Sequence, residues 1–103
     1  MKIEWSVRSR ADLQGLKTYI SLDSPHYAQR FIARIIASVE KLTNFPDIGR
    51  KVPEAEDGED IRELIFQGYR IIYLRQPNYI YIVTVVHGSQ DLSKMDKKPW
   101  DAE

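Results

Sequence analysis

Apolar residues recur at helical spacing in the first half of this chain and in short strand-like runs in the second half. At the start, two apolar residues alternate with polar ones, which predicts a short strand over about residues 2–6. Three later runs, rich in β-branched and aromatic residues, predict strands over about residues 61–66, 69–75 and 79–87. Because only tight turns separate these three runs, we expect them to form an antiparallel meander.

Two amphipathic helices are predicted between the first strand and the meander. Ser9 followed by Asp12 resembles a capping box and starts a helix over about residues 9–21. A Ser-Pro pair starts a second helix over about residues 24–43, because serine suits the N-cap and proline suits the first helical turn. A link of only two or three residues between the helices indicates an antiparallel helical hairpin.

The expected fold is α+β, with the helical hairpin packed as a second layer on a small, mainly antiparallel sheet in the order β-α-α-β-β-β. The 103 residues are enough for a single domain over residues 1–103 with one core. A long polar loop over residues 44–60 joins the hairpin to the meander, and a tail over residues 88–103 has no clear period. Loops of this length are commonly functional or mobile.

Composition excludes several classes of function. Fifteen basic and fifteen acidic side chains give no net charge, so no global field attracts nucleic acid or a membrane. The chain has no cysteine, which excludes disulfides, zinc–thiolate sites and thiol catalysis. It also has no signal-peptide pattern and no apolar run near the roughly 18 residues that span a bilayer, so we expect a cytoplasmic protein. No metal-ligand spacing or phosphate loop is present, and no cofactor or metal is predicted.

Two arginines lie inside predicted strands, where a charged side chain costs free energy unless a partner satisfies it. If residues 67–68 form a two-residue turn, Arg62 lies opposite Tyr73, and Arg70 lies diagonally from Glu63. Arg70 therefore either forms a cross-strand ion pair or belongs to a binding site, and both interpretations stay open. For a partly exposed pair, we expect Arg70→Lys to change the free energy of unfolding by less than about 1 kcal/mol.

The face of the sheet on which His87 lies depends on the last hairpin loop. A three-residue loop over residues 76–78 leaves His87 on the face of Tyr73, whereas a four-residue loop over residues 76–79 moves it to the face of Arg70. Both registers are compatible with the sequence. A histidine at a strand end suits proton transfer near neutral pH, although such residues often have structural roles.

Six motifs occur in order between residue 2 and about residue 95. They read I-E-W-S, S-P-x-x-A, F-P-D-I-G-R-K-V-P-E, I-R-E-L-I, G-Y-R-I-I-Y and V-V-H-G-S-Q-D-L. Together they resemble the ParE/RelE superfamily of type II toxin-antitoxin toxins. The resemblance implies a cognate antitoxin that wraps the toxin in a heteromeric complex. It also implies one of two targets, because ParE-like toxins poison DNA gyrase, whereas RelE-like and YoeB-like toxins cleave mRNA in the ribosome.

The resemblance suggests catalytic residues for the RNA-cleaving case. YoeB-type cleavage is similar to a general acid/base pair with an arginine between its members, and Glu54, Arg70 and His87 fall close to those positions. The lysines expected in RelE-type toxins are replaced here by Glu-Leu-Ile at residues 63–65. The ending H-G-S-Q-D-L most resembles the H-x-x-x-D-L of ParE toxins, which lack a ribonuclease constellation.

The leading hypothesis is therefore a ParE-like inhibitor of DNA gyrase that a cognate antitoxin neutralises. The alternatives are a metal-independent, ribosome-dependent mRNA endonuclease and a degenerate member of the superfamily that only binds antitoxin. The residues expected to contact a partner are Arg50, Lys51, Arg62, Arg70 and Tyr73. Because both faces of the predicted strands carry aliphatic residues, we expect the antitoxin to cover the second face of the sheet or the outer surface of the helices.

Overall fold

The computed structural model describes residues 1–56 and 58–101. Within these residues, two helices and a five-stranded sheet confirm the α+β fold, with one short strand added to the predicted order. The elements are β1 (Lys2–Trp5), α1 (Val7–Ser21), α2 (Pro25–Glu40), β2 (Arg50–Lys51), β3 (Ile61–Phe66), β4 (Tyr69–Arg75) and β5 (Tyr79–His87). Single 3-10 turns cover Lys41–Thr43, Leu92–Lys94 and Pro99–Asp101. None of the described helices is long and apolar enough to cross a membrane.

The sheet has the strand order β1-β5-β4-β3-β2. β1 runs parallel to β5, and the other neighbouring strands are antiparallel, as the predicted meander requires. The register of β3 against β4 is the predicted one, with Arg62 opposite Tyr73 and Ile65 opposite Arg70. The short strand β2 lies within the predicted loop and pairs with β3 at the edge of the sheet.

Helix α1 begins two residues earlier than predicted. Its N-cap is Ser6, whose Oγ accepts a hydrogen bond of 2.9 Å from the backbone N–H of Ser9. The predicted capping box is therefore wrong, and Asp12 has a different role. Its carboxylate accepts hydrogen bonds from the Thr84 hydroxyl at 2.5 Å and from the Val85 backbone N–H at 3.0 Å. Because β1 ends at residue 5, Asp12 satisfies a part of the β5 edge that no strand covers.

The register of the last hairpin agrees with neither predicted alternative over its whole length. Near the turn, Arg75 lies opposite Ile80, as the four-residue loop predicts. The pairing then shifts by one residue between Ile72 and Tyr73. This irregularity, a β-bulge, returns His87 to the helix-covered face, opposite Tyr69.

Hydrophobic clusters lie on both faces of the sheet instead of in the single predicted core. The helix-covered face holds Phe31, Ile35, Val39, Leu42, Ile71, Tyr73, Ile80, Ile82 and Val85. The second face holds Val52, Ile61, Ile72, Val83, Leu92 and Trp100. The loop and the tail thus cover part of the second face themselves. Of the two surfaces on which the antitoxin was expected, the second face is therefore already covered in part by the chain itself.

Candidate functional site

A groove lies on the second face of the sheet, where the β3–β4 turn approaches the end of β5. Its volume is about 760 Å³. We call it the Arg70 groove, and its lining residues are Arg50, Pro53, Glu54, Ile65, Gly68, Arg70, Gly88, Ser89, Gln90, Asp91 and Ser93. Arg70 points into this face because its neighbours on β4, Tyr69 and Ile71, pack against the helix-covered core.

Arg70 is the centre of the charged network in the groove. Its side chain is buried, and its Nε donates a hydrogen bond of 2.6 Å to Oε1 of Glu63. Its two terminal nitrogens bind both carboxylate oxygens of Glu54, at 2.9 and 2.7 Å, in a bidentate pair. One of them also donates to the carbonyl oxygen of Gln90 at 3.1 Å. The predicted Glu63–Arg70 ion pair is therefore present, as one part of a larger network.

Both carboxylates around Arg70 are also fully engaged. Glu63 is buried, and its second oxygen accepts a hydrogen bond of 2.6 Å from Nε of Arg50. Glu54 accepts a further bond from the backbone N–H of Leu92 at 3.2 Å, which ties the loop to the tail. The hydrogen bonds from Arg70 hold the pKa of Glu54 below its ordinary value of 4.5, although burial acts in the opposite direction. The same bonds to Glu54 raise the pKa of Arg70.

His87 does not join this network. It lies opposite Tyr69, whereas Arg70 lies opposite Val86, so the side chains of His87 and Arg70 project from opposite faces of the sheet. The imidazole packs edge-on against the Tyr69 ring, with 5.4 Å between ring centroids. Its Nδ1 accepts a hydrogen bond from the backbone N–H of Ser89 at 3.1 Å. The structure thus brings Glu54 and Arg70 together and separates His87 from both.

Two of the predicted binding residues, Tyr73 and Arg62, form hydrogen bonds within the protein. Tyr73 is fully buried, and its hydroxyl accepts a hydrogen bond from the Gly49 N–H and donates one to the Pro46 carbonyl, both at 3.0 Å. Burial raises the pKa of this hydroxyl. Arg62 donates to the Asp60 carboxylate at 2.8 Å and also to two backbone carbonyls of the loop. The expectation that Tyr73 contacts a partner is therefore corrected by its burial.

Arg50 and Lys51 are the predicted binding residues that face solvent. They form the edge strand β2, and their side chains are 62% and 64% exposed. Lys51 forms an ion pair with the Asp60 carboxylate at 3.6 Å, and the exposure of its side chain leaves the ammonium group accessible to a partner.

Sequence reasoning missed the loop acids that hold the basic residues of the sheet. Asp47 accepts a hydrogen bond from Nε of Arg75 at 2.8 Å, and this bond lowers the pKa of Asp47. The alternation of basic strand residues with an acid-rich loop is the signal that could have indicated these pairs. Among the described residues, no group of three or more potential ligands could hold a metal ion. Every buried polar side-chain atom in the described part of the chain has a hydrogen-bond partner.

The family was determined by comparison with known proteins. A family model described as the ParE toxin of the type II toxin-antitoxin system parDE matches residues 3–92. The chain belongs to the ParE toxin family. This ParE-family toxin is 29% identical over 90 residues to the toxin RelE2 of Caulobacter vibrioides, covering 86% of this chain and 97% of the relative. It is 32% identical over 90 residues to the Sinorhizobium fredii protein Y4kP, covering 86% and 90% of the two chains.

Solved structures agree with this family at the level of the fold. A chain of the chromosomal ParDE system from P. aeruginosa superimposes with a TM-score of 0.70 at 20% identity, covering 84% of this toxin and 95% of that chain. A chain of the RelBE2 toxin-antitoxin complex from Mycobacterium tuberculosis gives a TM-score of 0.60 at 17% identity, with the same coverage. At these identities, the superpositions establish a shared fold and not a shared target.

Proposed function

We propose that this ParE-family toxin inhibits DNA gyrase by binding it, without cutting RNA, and that a cognate antitoxin neutralises it. The observation that carries the proposal is the separation of His87 from Arg70 and Glu54 by the sheet. Cleavage by 2′-hydroxyl attack needs an acid and a base on the same phosphate, within hydrogen-bond reach of the atoms that exchange protons. Side chains on opposite faces of one sheet do not meet that requirement.

The hydrogen bonds of Arg70 and Glu54 also support a toxin that does not cleave RNA. A side chain that stabilises a scissile phosphate must direct N–H donors at it, but both donors of one terminal nitrogen of Arg70 are already bonded to protein oxygens. Glu54 binds Arg70 through both carboxylate oxygens, and its lowered pKa makes it a weaker base near neutral pH. The network is consistent with a structural function in a toxin that acts by contact.

Arg50 and Lys51 are the contacts that we propose for the target. They lie on the short edge strand, their side chains are largely exposed, and they carry two adjacent positive charges. An edge position allows both side chains to reach a partner without any rearrangement of the sheet. Arg50 also lines the Arg70 groove, so a partner seated there meets Arg50, whereas Lys51 is not among the residues that line this groove.

The antitoxin is proposed to cover apolar side chains that the hairpin leaves in water. Exposed residues of this kind are Val7, Tyr19, Leu22, Tyr27 and Ile36. An amphipathic or extended antitoxin segment would bury those that share a side of the hairpin, such as Tyr19 and Leu22, which lie three residues apart at the end of α1. The two superimposable structures come from a ParDE system and a RelBE2 toxin-antitoxin complex, which supports a partner of this kind.

Two assays on the purified toxin test the proposal directly. In the first, gyrase supercoils relaxed plasmid in the presence of increasing toxin, and in the second, ribosomes programmed with a defined mRNA are mixed with the toxin. We expect inhibited supercoiling and intact mRNA. Lys51→Ala is expected to weaken the inhibition, whereas Lys17→Ala on the helical hairpin serves as the matched control. Ribosome-dependent cleavage of the mRNA, abolished by His87→Ala, would overturn the proposal in favour of the endonuclease.

A further inference from the structure

A second pocket lies on the second face of the sheet, at the opposite end from the Arg70 groove. Its volume is about 330 Å³, and it shares no lining residue with that groove. Its walls include one carboxylate, that of Glu4, and three aromatic side chains, those of Tyr79, Tyr81 and Trp100. We call it the Trp100 pocket.

The sheet itself brings the carboxylate next to the tyrosines. β1 and β5 are parallel neighbours, with Lys2 beside Tyr79 and Glu4 beside Tyr81. The residue that precedes Glu4 on β1, Ile3, packs on the helix-covered core, so alternation places Glu4 on the second face. The floor of the pocket is therefore set by backbone pairing and does not depend on a mobile side chain.

The tail supplies the third aromatic wall. Pro99 and Trp100 form a 3-10 turn over the sheet, and Trp100 is only 8% exposed. The ring belongs to the second-face cluster together with Val83. Residues 99–101 lie beyond the part of the chain that the family model matches, which ends at residue 92. The Trp100 pocket therefore depends on a segment that the family match does not include.

Glu4 is held only weakly within the described part of the chain. Its ion pair there is with Lys2, 3.3 Å away, and the two side chains are 46% and 74% exposed. Exposed pairs of this kind contribute about 0–1 kcal/mol, so a better cation can displace the lysine. By contrast, the Glu54 and Glu63 carboxylates beside the Arg70 groove are held by the buried guanidinium of Arg70 at 2.6–2.9 Å.

We propose that the Trp100 pocket binds the side chain of an arginine presented by a partner polypeptide. Aromatic faces attract cations through their quadrupoles, and a guanidinium both stacks on such faces and pairs with a carboxylate through two parallel hydrogen bonds. A lysine ammonium can do only part of this, because it is a compact point charge without a planar face. The inference rests on the pocket alone and holds whichever target the toxin has.

The binding test uses acetyl-arginine amide, with acetyl-citrulline amide as a neutral probe of nearly the same shape. The chain has two tryptophans, so ¹⁵N-labelled toxin gives two indole N–H signals. Trp5 packs against the helix-covered core and serves as an internal control. We expect the arginine probe to shift the Trp100 signal in a saturable manner, with little change at Trp5 and little effect of the citrulline probe. Equal shifts with both probes, or no shift at Trp100, would overturn the proposal.

Two substitutions of exposed residues should change the dissociation constant of the arginine probe in opposite directions without destabilising the fold. Glu4→Gln removes the charged acceptor and should raise the dissociation constant of the arginine probe about tenfold, as the loss of one charged hydrogen bond predicts. Lys2→Ala removes the competing cation and should lower that dissociation constant several-fold. Unchanged binding in both variants would show that the pocket is only a crevice between the tail and the sheet.

Discussion

Arg70 and His87 lie on neighbouring antiparallel strands, but their side chains project from opposite faces of the sheet. The cause is the β-bulge between the Ile72 and Tyr73 pairings, which shifts the register of β5 by one residue. Without the bulge, the register at the turn would place His87 on the face of Arg70. One irregular residue pairing thus separates two groups that an acid/base mechanism would need together.

This separation predicts that His87 is dispensable for toxicity. The imidazole is exposed at the end of β5, where it packs on Tyr69 of the neighbouring strand and bonds to the exposed Ser89, so His87→Ala should cost no more than about 1 kcal/mol of stability. We expect cells that express this variant to stop growing as the parent does, with an SOS response before translation falls. A loss of killing by more than about 100-fold, with the fold intact, would instead indicate a catalytic histidine.

Arg70 is expected to be far more important for stability than its strand position alone indicated. The expectation of less than about 1 kcal/mol for Arg70→Lys assumed a partly exposed pair, but the side chain is only 6% exposed. A lysine cannot hold Glu54 and Glu63 together in the same geometry, so we expect a loss of about 1.5–3 kcal/mol in urea unfolding.

The matched control for Arg70 is Arg50→Lys. Arg50 binds the same carboxylate, that of Glu63, but its side chain is 62% exposed. This variant should lose less than about 1 kcal/mol. If Arg70→Lys is as stable as Arg50→Lys and yet abolishes toxicity, Arg70 contacts the target, and the structural assignment of the network is wrong.

The fold could be predicted because its determinants are local in sequence. Helical spacing, the Ser24 cap and the two-residue turn before Tyr69 each lie within a few residues of the element that they define. The bulge could not be predicted in this way, because its extra residue, Val83, belongs to the second-face cluster together with Leu92 and Trp100, which lie elsewhere in the sequence. The N-cap of α1 was predicted wrongly for a related reason, because Asp12 bonds to Thr84 on a strand edge, 72 residues away.

From strand pairing alone, without the family resemblance that pointed to Glu54, the candidate site was predictable only in its nearest pair. Arg70 and Glu63 belong to adjacent strands whose register follows from the turn between them, and their contact was expected. The bidentate bond to Glu54 crosses an irregular loop, for which no period or register exists. The tail contact through Gln90 has no sequence signal either, because it uses a backbone carbonyl.

Gly49 should tolerate no side chain. A Cβ built there would lie 2.5 Å from the Tyr73 hydroxyl oxygen and 2.8 Å from the Glu63 carbonyl oxygen. Because both belong to buried, hydrogen-bonded residues, we expect Gly49→Ala to cost about 1–3 kcal/mol in thermal or urea unfolding. Gly15→Ala is the control: nothing lies within 4 Å of its Cβ position in helix α1, so it should stabilise the toxin by about 0.5–1 kcal/mol. Equal stability of both variants would contradict this packing.

Acid should destabilise the toxin partly through Glu54. Its pKa in the folded state is lowered from 4.5 by the hydrogen bonds from Arg70, so the unfolded chain binds a proton at a higher pH than the folded one does. The stabilisation is complete above the unfolded value and is lost as the pH falls through the folded pKa. We expect the free energy of unfolding to decrease as the pH is lowered below about 4.5, with a contribution of up to about 1.4 kcal/mol per pH unit from this group.

The control variant is Glu54→Gln, which should be less stable near neutral pH. It should lose the part of the pH dependence that is due to Glu54 and keep the part due to Asp47 and Asp91, whose pKa values are also lowered. Identical slopes in urea titrations of the two proteins between about pH 3 and pH 6 would mean that Glu54 does not carry the charge that binds Arg70.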